Sequence, residues 1–360
     1  MGVSGGLAVS AGVVPGWDGL LASTPLPVPV TGSERWLRFA PKRLPGEQIT
    51  LVLGEEGDAR AALYGAVMTR PSPNDRIDPF SIFSGASAHQ GLAVRGPHPW
   101  HGLRAEQVYP CLLLMLPHYE SFPVGPGAVD PETCDALVQA VLDWAAGQRI
   151  RSIAYEYLSP ESEPLIAALR RAGWPVTELA GQCDLAVTWP DFDGYLARLS
   201  KHRRVEVRRE LRSLAERGIG IQVRGLADAE PEMIDLRCQL VAKYGGKPDP
   251  EKEEGVLRRI RSIFRPEDVT VIMAERDGQA LGCGVFIQEA DTWVPVLTGA
   301  DYGSPWHRLT YFSTIFYTPA KMAPGLGVKR IPYGLGSWEA KRLRGCDVSA
   351  LFGAALVIDR

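Results

Sequence analysis

The chain has 360 residues, of which 45% are hydrophobic and 22% charged, and its formal net charge is -3. That is ordinary globular composition, long enough for two domains, and it excludes wholesale disorder. It also excludes a polycation, so affinity for an anionic partner must come from a local patch.

Cys111, Cys134, Cys183, Cys238, Cys283 and Cys346 show neither C-x-x-C spacing nor a zinc pattern with His. They read as reduced thiols, with a cytoplasmic location expected and no metal. The N-terminus lacks a basic n-region and the Ser/Thr of an N-myristoylation motif. No apolar run approaches the ~18 residues of a membrane span, so neither a membrane nor DNA is an expected partner.

Residues 1–45, rich in small residues and Pro, read as a loose lead-in with a short helix around Trp17. Residues 49–69 form two β-rich runs around a Gly-containing acidic turn, a hairpin signal. An insertion rich in turn formers follows, then an apolar strand at 110–116. Asp130-Pro131-Glu132 opens a helix: Asp as N-cap, Pro in the first turn, acid at the positive end of the dipole. It should stop near Gly147. A strand with a central Tyr then leads to Ser159.

The pattern returns. Residues 269–289 repeat the hairpin layout, and a helix over Arg308–Lys321, distorted near Pro319, precedes a strand ending near Ser337. Two matched blocks in the same order imply duplication, with a first domain at 46–185 and a second at 190–360. Strands alternating with helices give α/β layers. Between the copies, Leu196–Arg217 reads as the longest helix, closed by Gly218.

The segment DFDGYLARLSKHRRVEVRRELRSLAERG resembles the basic helix that opens the second domain of Fem-like tandem GNAT proteins. TPAKMAPGLGVKRIPYGLGSWEAKRLRG resembles their closing segment. The resemblance implies two tandem GNAT-like domains, each a mixed, mostly antiparallel sheet flanked by helices. It implies acyl transfer to an amine, from acetyl-CoA across the superfamily and from an aminoacyl-tRNA in the Fem-like branch. That branch's coiled-coil arm is absent here, which favours a small soluble amine over a cell-wall precursor as acceptor.

Donor-site motifs divide these options. A pyrophosphate cradle needs a Gly-rich loop between a central strand and a helix N-terminus. Gln279–Gly284 has the letters but lies in the second hairpin. The correctly placed loops are Phe122–Ala128, which reads as a structural turn, and 299–308, which has no Gly-x-Gly. No resident cofactor is therefore expected.

The strongest charge signal is a ridge of Lys201, Arg204, Arg208 and Arg212 at helical spacing. It suits tRNA phosphates, with Arg344 added to the donor-binding set. The competing reading is a solvated face, with Glu206 and Glu210 in local ion pairs. Lys341 is expected to stabilise the oxyanion. Glu339 and His307 are the expected proton acceptors, and Trp306, Tyr311, Tyr333 and Trp338 the expected acceptor pocket. The expected function is that of an aminoacyl-tRNA-dependent acyltransferase using direct amine attack. Its rivals are an acetyl-CoA-dependent N-acetyltransferase and a non-catalytic fold binding RNA or a protein.

Overall fold

The computed structural model describes residues 6–39, 44–55, 58–86 and 94–358. The chain divides into two units: residues 1–182, 334–338 and 349–360 in the first, and 183–333 and 339–348 in the second. A single cut between consecutive domains was expected; instead the last residues of the chain return to the first unit.

In the first unit the strands are β1 (Leu7–Ala11), β2 (Glu47–Glu55), β3 (Asp58–Met68), β4 (Cys111–Leu114), β5 (Ser152–Leu158) and β6 (Val176–Ala186), with the greater part of β12 (Asp347–Val357). β1–β2, β2–β3 and β3–β4 pair antiparallel, β4–β5 parallel, and β12 adds antiparallel to β5. The hairpin's turn, at residues 56–57, lies outside the described residues.

Helices α1 (Trp17–Ala22), α2 (Glu34–Phe39), α3 (Pro79–Ser84) and α4 (Ala105–Val108) are short; α5 (Pro131–Gly147) and α6 (Glu163–Arg171) are longer. As expected, the Asp130 carboxylate caps α5 by accepting the N–H of Thr133 at 3.0 Å. Leu137, Val138 and Val141 of α5 are buried with Leu51, Leu63 and Leu112 of the sheet. Each such side chain stabilises by roughly 1.5–3 kcal/mol.

The lead-in is not loose. β1 pairs along β2, and Trp17, fully buried, donates its indole N–H to the Gly32 carbonyl at 2.8 Å. Periodicity could not reveal this, because β1 is a mostly exposed edge strand of small residues.

In the second unit the strands are β7 (Gly220–Arg224), β8 (Val269–Arg276), β9 (Gln279–Glu289), β10 (Thr292–Ala300) and β11 (Arg330–Gly334). β7–β8, β8–β9 and β9–β10 are antiparallel and β10–β11 parallel. This repeats the β1–β5 pattern strand for strand. The helices are α7 (Phe192–Arg198), α8 (Lys201–Glu216), α9 (Glu230–Lys243), α10 (Pro250–Ile263), α11 (His307–Phe312), α12 (Thr318–Met322) and α13 (Trp338–Arg342). α9 lies against β10 where Gly299 has no side chain; a Cβ there would stand 2.8 Å from Leu236 Cβ.

Two helix expectations need correction. The helix expected over Leu196–Arg217 is two helices, because Leu199 is extended and Ser200 starts α8 by accepting the Arg203 N–H. The helix expected over Arg308–Lys321 runs through a π turn at Ser313–Tyr317. Pro319 explains the change of register: it has no N–H for the Ile315 carbonyl four residues back, and its ring crowds that group.

Candidate active site of the second unit

The parallel pair β10–β11 opens almost at once. Its only register pair among the described residues is Thr292↔Arg330. Val296 forms a bulge in β10, between Pro295 and Leu297. Beyond the opening, the strand pairing of β10 among the described residues is with β9 alone, and the Arg237 guanidinium donates to the Thr298 carbonyl at 2.8 Å. The corresponding place in the first unit is closed. There β4 and β5 pair over four positions, and Ser121 continues the pairing, its N–H donating to the Tyr157 carbonyl at 2.9 Å.

At the carboxyl end of β10, residues 301–306 lead into α11. Their N–H groups are all used within the protein. Asp301 donates to the Leu281 carbonyl, Tyr302 to the Gln239 side chain, Gly303 to the Asp301 carboxylate and Ser304 to the Asp301 carbonyl. Trp306 and His307 donate to the Ser304 hydroxyl and carbonyl, and Pro305 has no N–H. In the first unit, Gly125 and Gly127 of the Phe122–Ala128 loop likewise donate to Thr24 and Arg60. Neither loop presents the row of free amides that holds a pyrophosphate.

His307 Nδ1 lies 3.0 Å from the Ser304 carbonyl. A carbonyl only accepts, so Nδ1 carries the proton and the neutral ring keeps its lone pair on Nε2. Ser304 and Trp306 line a cavity of about 400 Å³ with Asp301, Leu281 and the β8–β9 turn. The Arg217 guanidinium stands over the Trp306 ring, 4.3 Å from its centroid.

A second group of residues surrounds the π turn. Lys341, 7% exposed, donates from Nζ to the Tyr333 carbonyl at 2.7 Å. Tyr333 stacks on Phe316 with centroids 4.3 Å apart, and Tyr311 meets Phe316 edge-on. Arg344, 2% exposed, lies over Phe312 with its guanidinium carbon 3.2 Å from the ring centroid. Burial pulls its pKa down from the ordinary value, against the raising influence of Tyr317, and neighbouring Arg203 lowers it further. Arg203 donates to Glu206 and, at 3.3 Å, to the Tyr317 hydroxyl, which donates to Glu210. Burial pushes the Tyr317 phenol up to about 12, so it remains a neutral donor.

Residues 103–360 match a model of the FemAB-like family, described as peptidoglycan biosynthesis/recognition. The chain belongs to the FemAB-like family. Among curated proteins no relative matches it. Its fold resembles FemX, at 9% identity and TM-score 0.60 over 96% of both chains. It also resembles L-PGS from Bacillus licheniformis, at 9% identity and TM-score 0.55 over 98% of this chain and 94% of that one. A tandem GNAT protein from the clavulanic acid biosynthesis pathway matches at 12% identity and TM-score 0.51 over 99% of both chains. The fold of this FemAB-like protein is therefore the tandem GNAT fold, in mixed, mostly antiparallel sheets flanked by helices. Family and fold together support an acyltransferase.

Among the sequence-derived residues, the FemAB-like structure gathers Lys341, Tyr333, Tyr311 and Arg344 around the π turn. It places Trp306 at the cavity, with His307 next to it along the chain, at the opposite end of the same helical segment. Lys201, Arg208 and Arg212 are exposed on α8. Arg204 is turned aside, donating to the Ala197 and Leu199 carbonyls, both at 3.1 Å, which closes the end of α7. Arg344, expected at the donor phosphates, is buried over Phe312, and Tyr333, expected in the acceptor pocket, is buried against Phe316. Glu339 is exposed in the first turn of α13, and Trp338 lies in the segment that counts with the first unit. Sequence reasoning missed Asp301 and Gln279, which only the fold brings to one cavity. It also missed the buried use of Arg203, although that residue interrupts the apolar stripe of α8.

Proposed function

We propose that the protein transfers an aminoacyl group from aminoacyl-tRNA to a primary amine, forming an amide in the second unit. The observation that carries the choice of donor is the complete internal use of the 301–307 amides. An acetyl-CoA enzyme needs those groups for a pyrophosphate. The exposed face of α8 offers instead Lys201, Arg208 and Arg212, spaced for a phosphodiester backbone.

On this reading the ester enters the opening between β10 and β11. The amine attacks its carbonyl directly and Lys341, beside the π turn, stabilises the oxyanion; His307 Nε2, at the start of α11, takes a proton from the amine before the attack and not at the reacting carbonyl. Glu339 is available as a second proton acceptor at the exposed start of α13. The acceptor is a small soluble amine, and no resident cofactor takes part.

The test is a purified reaction offering simple amines or an amine-bearing peptidoglycan precursor, with a pool of charged tRNAs or acetyl-CoA as donor. Product that ribonuclease abolishes supports the proposal; acetylation that survives ribonuclease overturns it. Lys341→Ala should slow turnover more than it weakens tRNA binding, because an oxyanion interaction strengthens mainly in the transition state.

A further inference from the structure

We propose that the cavity beside Trp306 is a binding site for a primary ammonium group, that of the acceptor before it reacts. The inference rests on the acyl-transfer reading for its role, but the site stands on its own walls.

The cavity, about 400 Å³, is lined by Asp301, Leu281, Gln279, Trp306 and the Arg276–Asp277 turn. That volume lies within the usual range of small-molecule pockets, about 300–1,000 Å³. Its charge is decided by pairing. Arg276 Nε lies 3.3 Å from Asp277 Oδ2, so these two cancel at the rim. Asp301 has no cationic partner among the described residues. Its Oδ1 accepts only the backbone N–H of Gly303, at 3.0 Å. Among the lining side chains one negative charge is thus left without an ion-pair partner; Arg217, over the Trp306 ring but outside the lining, offsets it only in part, so the lining favours a cation over phosphate.

The remaining lining suits an amine on a short carbon chain. Leu281 gives the methylenes an apolar surface. Trp306 already attracts one cation, Arg217, and its indole borders the cavity. Gln279, also in the lining, carries an amide oxygen that can accept from an ammonium.

The location also gives the ammonium a route to reactivity. Ser304 lines the cavity, and its carbonyl fixes the His307 tautomer. The Nε2 lone pair is thus available on the residue that follows Trp306. His307 takes one proton from the ammonium, and the neutral nitrogen attacks the ester carbonyl. The new C–N bond forms as the C–O bond to the ribose breaks. The leaving oxygen keeps the electron pair and takes up the amine's second surplus proton.

The test uses the full chain without tRNA or any acyl donor. Ligand-observed NMR titrates n-pentylammonium, with 1-pentanol as its neutral counterpart and inorganic phosphate as competitor. Saturable binding of pentylammonium is expected, at least tenfold weaker in Asp301→Asn, which keeps an oxygen for the Gly303 N–H. Trp306→Leu, a second variant, should weaken it severalfold. Phosphate should not displace it, and 1-pentanol should not saturate the site. Equal affinity in both variants, equal binding of 1-pentanol, or displacement by phosphate would overturn the proposal. The functional reading fails separately. Ammonium binding without tRNA-dependent product leaves the site standing. tRNA-dependent product with an unchanged KM for the amine in Asp301→Asn removes the site and leaves the activity.

Discussion

The hydroxyl of Tyr333 donates to the carbonyl oxygen of Ile315 at 2.6 Å. In an unbroken α-helix that carbonyl would accept the N–H of residue 319, and residue 319 is a proline. Tyr333 thus provides a donor at the place where the proline removes one. The same residue's carbonyl receives Lys341 Nζ. Tyr333→Phe keeps the stack on Phe316 and removes only this bond. A loss of about 1–3 kcal/mol is expected, the cost of a buried polar group left short of a partner, read from urea unfolding midpoints. An unchanged midpoint would show that another donor, such as water, serves Ile315.

Tyr317 joins two charged partners through one oxygen, accepting from Arg203 and donating to Glu210. Tyr317→Phe leaves both groups in place with one partner fewer. The expected destabilisation is again about 1–3 kcal/mol, toward the upper end because both partners are ionised. In the double-mutant cycle with Glu210→Gln the two losses should not add. Strict additivity would disprove the coupling.

The exposed part of the basic ridge should govern RNA affinity. Replacing Lys201, Arg208 and Arg212 by Glu is expected to weaken tRNA binding and to lower the salt slope by roughly one for each phosphate no longer neutralised. Arg204→Ala should behave differently. Its guanidinium is held by the Ala197 and Leu199 carbonyls, so the change should lower stability by about 1 kcal/mol with a small effect on the slope. A triple variant with an unchanged slope would assign the ridge to solvent alone.

Glu156, on β5, is fully buried, and neither carboxyl oxygen has a hydrogen-bond partner among the described residues. Burial raises its pKa well above 4.5, and the Asp78 carboxylate adds to the rise. The unfolded chain therefore releases this proton first as pH increases. The stability that Glu156 contributes is complete below about pH 4.5 and is lost as pH climbs toward the raised folded value. In Glu156→Gln this loss should vanish. The wild type minus variant difference should change by up to about 1.4 kcal/mol per pH unit within the window. Parallel stability curves across the acidic-to-neutral range would show that a bound water or ion already satisfies the carboxyl.

The parts of this molecule that could be read from its sequence are those governed by near neighbours. The Asp130 cap, both hairpins and the repeated helix–strand block follow from residues close together in the chain. So does the basic ridge, because helical spacing alone puts Lys201, Arg208 and Arg212 on one face. What escaped depends on distant partners. Arg344 looks like a surface residue until Phe312, over thirty positions earlier, comes beneath it. Ser200 is a different case: it is a favoured N-cap residue and caps Arg203 only three positions on, but the helical pattern of its neighbours runs across it and hides the boundary. The cavity joins a hairpin turn to a loop more than twenty residues away, so its acidic character has no sequence signature.

The return of residues 349–360 to the first unit has a bearing on how the protein is made. β5 lacks its β12 neighbour until residues 347–357 have left the ribosome. Until then β5 has an open edge on that side, whose main-chain groups are free to pair with another strand. The amino-terminal unit, although synthesised first, is the one that must wait. A chaperone is most needed while the second half is still being translated, and a nascent chain truncated before residue 347 should aggregate through that edge.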